Sequence, residues 1–476
     1  MMRREKKLFN NIFIFAIGNM GGKVLQFLLL PFYTYVLSSS EYGQIDILQA
    51  VVSLAGPLVS LSIVDAVFRY AMEFPDQKDE ILSFGLSVIG TGLCVLLMLT
   101  FWIDSYVLHY RLLVIYLAFS LLFSLFSQYI KAMEKNVLFT GINLLQVFLI
   151  CLFSILALRV CRLGVRGYFL AYIAGDLICV LLLFFKERLW EQIHFGKQIF
   201  AHPAAKQMLK FSIPLIPNAT CWWLINFLDR IMITAFYGAG ENGIYTVAHK
   251  IPTVITVIMN IFFSAWQISA NQEFGSKDSP RFFGRVYEIL QSGLILIAAA
   301  MIPCSRLVCK VLFSPAYYGA WRYIPVMLLG ITFFSFAQFL GSIYSASKRT
   351  AMAFVTNLFT ALINGALNYV LLLWLGTYGA AVATTLSYVF LWLIRTKDTR
   401  VLLPMVFRQK FLAVNLSLLT IEVVAVTHST SFLPLTAVFL MLVIFFLNGP
   451  CLVHVFFRRW TGARKERAYD RSDSHD

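Results

Sequence analysis

The sequence predicts an all-α polytopic membrane protein: two six-helix lobes followed by two extra C-terminal helices, about 14 transmembrane helices in total. Three observations predict it. Hydrophobic side chains make up 59% of the 476 residues and charged ones only 13%, whereas soluble domains carry roughly a quarter charged. Apolar runs of about 20 residues, the length of helix that crosses a hydrocarbon core, recur along the chain. The start of the second half also repeats the start of the first.

The runs are bounded by charge, Gly, Pro or Asn. The first six fall at 9–36, 44–64, 81–103, 112–130, 137–158 and 167–185. Six more fall at 209–237, 244–268, 287–312, 323–345, 351–375 and 379–394, and the last two at 411–426 and 432–456. This divides the chain into an N-lobe at 8–186, a linker loop at 187–208, a C-lobe at 209–396, an appended pair at 409–457 and a basic tail at 458–476. The first run lacks a small-residue cleavage site, so it reads as a span and not as a signal peptide.

The formal charge is +15, from 39 Lys and Arg against 24 Asp and Glu. Of those cations, with Lys210, Arg306 and Lys310 near the ends of their runs counted to the adjoining segments, 29 lie in alternate segments beginning with the N-terminal tail and 7 in the opposite set. Cytoplasmic segments carry the excess of Lys and Arg, so both termini are expected in the cytoplasm. Two external stretches dissent, one holding Arg159, Arg162 and Arg166, the other Arg306, Lys310 and Arg322. A charge spread in this way marks orientation and does not form a basic patch for nucleic acid.

The repeat has two matching segments. At an offset of 200, Ser38-Ser39-Ser40-Glu41-Tyr42-Gly43 lies over Gly238-Ala239-Gly240-Glu241-Asn242-Gly243; at 212, Leu163-Gly164-Val165-Arg166-Gly167 lies over Leu375-Gly376-Thr377-Tyr378-Gly379. Both fall at equivalent points of a six-span unit. Six is even, so the two units enter the membrane in the same sense, as parallel repeats do, and face each other across a central cavity.

Enzyme chemistry finds little footing. There is no Walker-type glycine loop, no dinucleotide fingerprint and no His-Glu-x-x-His zinc motif. The eight Cys are scattered without metal-ligand spacing, and no soluble stretch is long enough for a catalytic domain. The chain is therefore expected not to be an enzyme and to need no cofactor.

Ionisable residues within spans carry the functional expectation, because a charge at the bilayer centre is costly unless it faces a cavity or a partner. Lys23 follows Gly18, Gly21 and Gly22 in the first span, with Asp46 and Asp65 as its candidate counter-ions; Asp229 and Arg230 sit mid-way along the seventh; Lys250 lies in the eighth beside His249. Asp229 can instead pair with Arg230 or Lys250 simply to hold helices together. Cations slightly outnumber anions near the expected cavity, and an anionic headgroup such as pyrophosphate would supply the difference. Arg69, at the inner end of the second span, could receive it or could simply mark orientation. Trp222, Trp223 and Trp266 suit sugar stacking or an interfacial position. Asp65 and Asp176 are candidate ion-coupling sites.

Two motifs carry a family resemblance. Asn19-Met20-Gly21-Gly22-Lys23, followed by Leu28-Leu29-Leu30-Pro31-Phe32-Tyr33-Thr34 and Glu41-Tyr42-Gly43, resembles the opening of polysaccharide-biosynthesis flippases of the Wzx type. Asp229-Arg230, then Gly243-Ile244-Tyr245-Thr246-Val247-Ala248-His249-Lys250-Ile251-Pro252, resembles the start of their second lobe. These flippases belong to the multidrug/oligosaccharidyl-lipid/polysaccharide exporter superfamily, so the resemblance implies a MATE-like fold. It also implies alternating-access translocation of an undecaprenyl-pyrophosphate-linked oligosaccharide for capsule, exopolysaccharide or O-antigen synthesis. Membrane lipids and polysaccharide assembly proteins are the implied partners, and no nucleic acid is. Lys23, Arg230 and Lys250 become the headgroup contacts, oriented by Asp229, and the appended pair shelters the polyprenyl tail. A cation-coupled multidrug exporter of the same fold stays open, as does a membrane-embedded polysaccharide polymerase or ligase. The exporter should prefer acidic residues in its cavity; the enzyme should carry a long external loop with clustered Arg or His.

Overall fold

The computed structural model describes residues 22, 25, 27–103, 110–194, 196, 203–347, 349–429 and 434–449, apart from a few side chains within helices. Lys23, with Gly18 and Gly21 before it, and the basic tail at 458–476 lie outside the described residues. All regular structure among the described residues is helical. The chain divides into two compact units, Met1–Thr246 and Val247–Asp476.

In the first unit α1, Phe27–Val36, is the described part of the first span. A capping box then starts α2, Ser39–Val59: Ser38 Oγ accepts from the Glu41 backbone N–H, and the Glu41 carboxylate accepts from Ser38 N–H. The single span expected at 44–64 is corrected here. Leu61 and Ser62 adopt left-handed backbone, φ 50° and 52°, and the chain restarts as a short amphipathic helix, α3, Ile63–Glu73. Ile63, Ala66, Val67 and Ala71 form its buried stripe, while Asp65 and Arg69 lie on its exposed side.

The spans α4 (Lys78–Ile103), α5 (Tyr110–Ala132), α6 (Asn136–Ser154) and α7 (Gly164–Lys186) follow as expected. The last turns of α6 widen and run on to Val160. After α8, Pro203–Ser212, comes the long α9, Leu215–Lys250, broken at Gly238 with φ 86° and ψ 168°. Only glycine takes that backbone without strain. The expected seventh and eighth spans, 209–237 and 244–268, are thereby redrawn: helix resumes directly after Gly238 and runs to Lys250. A bend of 41° follows, and α10, Thr253–Glu273, begins beyond it. Pro252 has no N–H to donate and its ring crowds the preceding turn, so the bend falls there.

The second unit holds α11 (Ser279–Met301), α12 (Ser305–Leu312), α13 (Ile324–Ala346), α14 (Thr350–Leu375), α15 (Thr377–Leu402), α16 (Gln409–His428) and α17 (Leu435–Gly449). α13 is buried nearly all round. Gly330 lets α15 approach it closely, and Thr385 Oγ1 donates to the Val326 carbonyl at 2.9 Å. Trp266 of α10 is buried against α13: it stacks on Phe339 at 4.8 Å and donates its indole N–H to Ser342 at 2.8 Å. It faces core, not the interface or a sugar. α15 also runs two turns past the expected end at 394, which brings Arg395 inside a helix.

Ten described helices are long and apolar enough to cross a membrane, and the bent pair Phe227–Lys250 plus Thr253–Phe263 makes up to eleven. α1 and α17 are shorter apolar pieces next to residues outside the description. The chain is thus a multi-pass membrane protein.

The two repeated segments behave alike in their own surroundings. Gly164 and Gly376, equivalent at the offset of 212, both adopt positive φ, 54° and 64°. Three residues on, Gly167 and Gly379 each lie against a carbonyl of the preceding helix, where a Cβ would meet Ala157 O at 3.2 Å or Leu371 O at 2.0 Å. The tight inter-helix turn is built in the same way twice.

Candidate functional site

The other repeated segment makes the most constrained contact in the first unit. A Cβ on Gly43 would lie 1.8 Å from the Ala239 carbonyl oxygen; a Cβ on Gly243 would lie 1.9 Å from that of Ser39. The contact is reciprocal across an offset of 200: residue 43 meets 239 and residue 243 meets 39. α2 and the second part of α9 therefore cross backbone to backbone, as glycine allows in membrane helices.

One turn along α2 this crossing buries charge. Asp46 Oδ1 accepts from Arg230 Nη1 at 2.9 Å, and both side chains are under a tenth exposed. Asp46 Oδ2 accepts from Thr246 Oγ1 at 3.0 Å and from Asn242 Nδ2 at 3.4 Å. Asn242 also donates to the Gly43 carbonyl at 3.2 Å. One carboxylate thus meets a guanidinium from one part of α9 and two neutral donors from the other. Two turns before Arg230 on α9, Trp223 donates to the Ala50 carbonyl at 2.7 Å. Trp223 and Arg230 share a face of α9, as Asp46 and Ala50 share one of α2.

Asp229 does not pair with the side chain of Arg230. Neighbours on a helix point about 100° apart and do not face each other. Its Oδ1 accepts the Arg230 backbone N–H at 2.8 Å and its Oδ2 accepts from Tyr245 O–H at 2.7 Å. Asp229 thereby ties the two parts of α9 together across the Gly238 break. Arg230 also lies 5.2 Å from the Phe227 ring centroid.

A second polar track runs from α2 into α7. Gln49 donates to Tyr168 Oη at 2.9 Å, and Tyr168 donates to Tyr172 Oη at 2.9 Å. Asp176 is one turn further on the same face of α7, buried, and accepts from Gln146 Nε2 of α6 at 2.6 Å. Tyr33 of α1 lies against Tyr168, with ring centroids 5.3 Å apart, and shares a hydrogen bond with Ser154.

Asp229 and Arg230 come together with Asp46, a residue first considered as counter-ion for Lys23. Lys250 is half-buried at the end of α9, in the second unit. Arg69 and Asp65 are exposed on α3, where Arg69 is 3.9 Å from Glu73 and 4.7 Å from the Phe211 ring centroid.

Sequence reading missed Arg395. Its guanidinium is buried and, among the described residues, donates only to neutral groups: the Ala337 carbonyl at 2.8 Å, Asn357 Oδ1 at 2.9 Å and Thr356 Oγ1 at 3.2 Å. Its place in a cluster of Lys and Arg at the end of a run made it look like a loop residue. The missed partner of Arg230 had a signal: the offset of 200 lays Asp46 over Thr246, and these two meet.

A family model described as polysaccharide biosynthesis protein matches residues 8–267, more than half of the chain and all of the crossing. The chain belongs to that family. A second model, MatE, matches 214–370. Curated relatives include Lsg locus putative protein 1 of Haemophilus influenzae, 24% identical over 53% of this chain and 63% of that one. Amylovoran biosynthesis protein AmsL of Erwinia amylovora is 24% identical over 50% of this chain and 61% of its own. The matched region therefore spans less than two thirds of either relative. Among solved structures, lipid II flippase MurJ in an inward closed conformation aligns with a TM-score of 0.66 over 95% of this chain and all of that one, at 13% identity. An inward-facing multidrug resistance MATE transporter aligns at 0.61 over 88% of this chain and all of its own, at 12% identity. The fold is that of the MurJ and MATE structures.

Proposed function

We propose that this polysaccharide biosynthesis family member is a flippase: it carries an undecaprenyl-pyrophosphate-linked oligosaccharide across the bacterial plasma membrane by alternating access. Its termini are cytoplasmic, its two six-span lobes at 8–186 and 209–396 enclose the path, and the appended pair shelters the lipid tail. Polysaccharide assembly proteins receive the product. The observation that carries the reading is Arg230, a guanidinium buried within the family-matched region, with Asp46 as its counter-ion. A diphosphate matches a guanidinium fork as well as a carboxylate does. In one state Asp46 holds Arg230; in another the headgroup takes its place, with Lys23 and Lys250 supplying further positive charge. Arg69 gives a first contact at the cytoplasmic surface, Asp229 orients Arg230, and Asp65 or Asp176 couples an ion.

The test is complementation in a host lacking its own flippase. Lys23→Ala, Arg230→Gln and Lys250→Ala should each lose surface polysaccharide when compared at matched levels of folded protein; undiminished polysaccharide from all three would remove the mechanism. The match of 214–370 to MatE favours a second reading, a multidrug exporter. Strong efflux of cationic dyes from vesicles without transfer of lipid-linked sugar would establish that reading instead.

A further inference from the structure

The appended helix α16 buries a stripe of Leu412, Asn415, Leu416, Leu419, Glu422, Val423 and Val426, the spacing of one helix face. Glu422 has no exposed surface, and neither carboxylate oxygen has a hydrogen-bond partner among the described residues. An ionised carboxylate in an apolar interior without donor or counter-ion is held at great cost, which marks an ionisable residue within a membrane helix as a candidate functional site.

The charged groups around it are engaged elsewhere. α16 packs on α11 and α13. α11 carries Arg281, Arg285 and Glu288 towards its start and no ionisable residue after Glu288. Glu288 is taken by Arg408 at the other end of α16, with Nε at 3.4 Å and the backbone N–H at 2.7 Å. Tyr287 of α11 accepts from Trp392 Nε1. α13 offers Tyr344 and no charge. Arg306 of α12 reaches α16 one turn beyond Glu422, where it donates to the carbonyls of Val426 and Ser429 and lies 3.9 Å from the Trp321 ring centroid. On α16 itself, Lys410 and His428 stand at the two ends. α17 touches α16 through Asn415 and Asn448, two turns from Glu422, and carries no ionisable residue.

We propose that Glu422 is an intramembrane proton-binding site, its carboxyl carrying an exchangeable proton within the packing of α16 on α11 and α13. A proton suits the site and a metal cation does not. Hard cations need several oxygen ligands, and the stripe beside Glu422 is Leu419, Val423 and Val426. The site is separate from Asp65 and Asp176 and stands whether the transported molecule is a lipid-linked sugar or a drug.

The experiment treats purified full-length protein in lipid nanodiscs with dicyclohexylcarbodiimide, which couples to protonated carboxyls in apolar surroundings, and maps the adduct by peptide mass spectrometry. Glu422 should be modified at neutral pH, modification should fall as pH rises, sodium should leave it unchanged, and E422Q should reduce it to background. In parallel, the infrared difference spectrum between acid and alkaline pH should contain a protonated-carboxyl C=O band that E422Q removes; if E422Q does not fold, E422D, which keeps a carboxyl, should shift that band instead. Sodium protection would overturn the proposal in favour of an alkali-cation site. An infrared band unchanged by either variant, with no adduct on Glu422, would overturn it outright.

Discussion

Among single residues, Asp46 and Arg230 form the buried ion pair on which the proposed transport depends. Removing one member of a buried ion pair strands the other, typically at a cost of about 3–5 kcal/mol. Asp46→Asn and Arg230→Gln should therefore each lower the thermal unfolding temperature sharply, and the double variant should recover part of the loss, measured as a coupling energy in a double-mutant cycle. Tyr245→Phe should cost less, about 1–3 kcal/mol, because it removes one donor from Asp229 and leaves the ion pair intact. Purified variants compared by light-scattering-detected unfolding check both. Much of this cluster was legible in the sequence. Asp229 and Arg230 stood out as charges inside an apolar run, and the need for counter-ions was clear. Which carboxylate serves which cation was not, because Asp46 and Arg230 are 184 residues apart and only the helix crossing joins them. Arg395 was hidden for the opposite reason: its carbonyl, amide and hydroxyl partners leave no mark in a search for paired charges.

At the scale of elements the crossing of α2 and α9 should tolerate no side chain where the glycines meet. Gly43→Ala and Gly243→Ala put a carbon within 1.9 Å of a carbonyl oxygen, so the helices must separate or the variant must fail to fold. Gly90→Ala, in α4, meets nothing within 4 Å and should behave as wild type, or slightly more stable through better helix propensity. Fluorescence-detected size exclusion after a heating series distinguishes the three. Apolar runs placed most of the helices well, since their length and flanking charge are set by the membrane itself. Breaks inside runs were harder to read. The turn at Leu61–Ser62 adopts left-handed backbone but contains no Gly or Pro to mark it. The sequence Gly238-Ala239-Gly240-Glu241-Asn242-Gly243 looked like a loop because of its glycines. Those glycines in fact serve a close helix crossing, and only Gly238 interrupts the helix.

At the scale of the whole molecule, membrane character, helical fold and family were all present in composition, periodicity and two motifs, whereas orientation and substrate rest on proposal. If transport separates α2 from the second part of α9, a covalent tie across them should stop it. Ser39 Oγ lies 3.7 Å from the position a Cβ on Gly240 would take, so Ser39→Cys with Gly240→Cys, in a background without the native Cys, places two sulfurs within bonding reach. Oxidation should abolish surface polysaccharide production and reduction should restore it; full activity of the oxidised protein would show that this crossing stays closed throughout turnover. The central claim is tested most directly with purified protein in liposomes and an undecaprenyl-pyrophosphate-linked oligosaccharide, by following access of a membrane-impermeant lectin to the sugar. Sugar should move between leaflets with the wild-type protein and not with folded Arg230→Gln. Equal movement in both would contradict the role of Arg230, and no movement with either, alongside export of cationic dyes, would contradict the flippase itself.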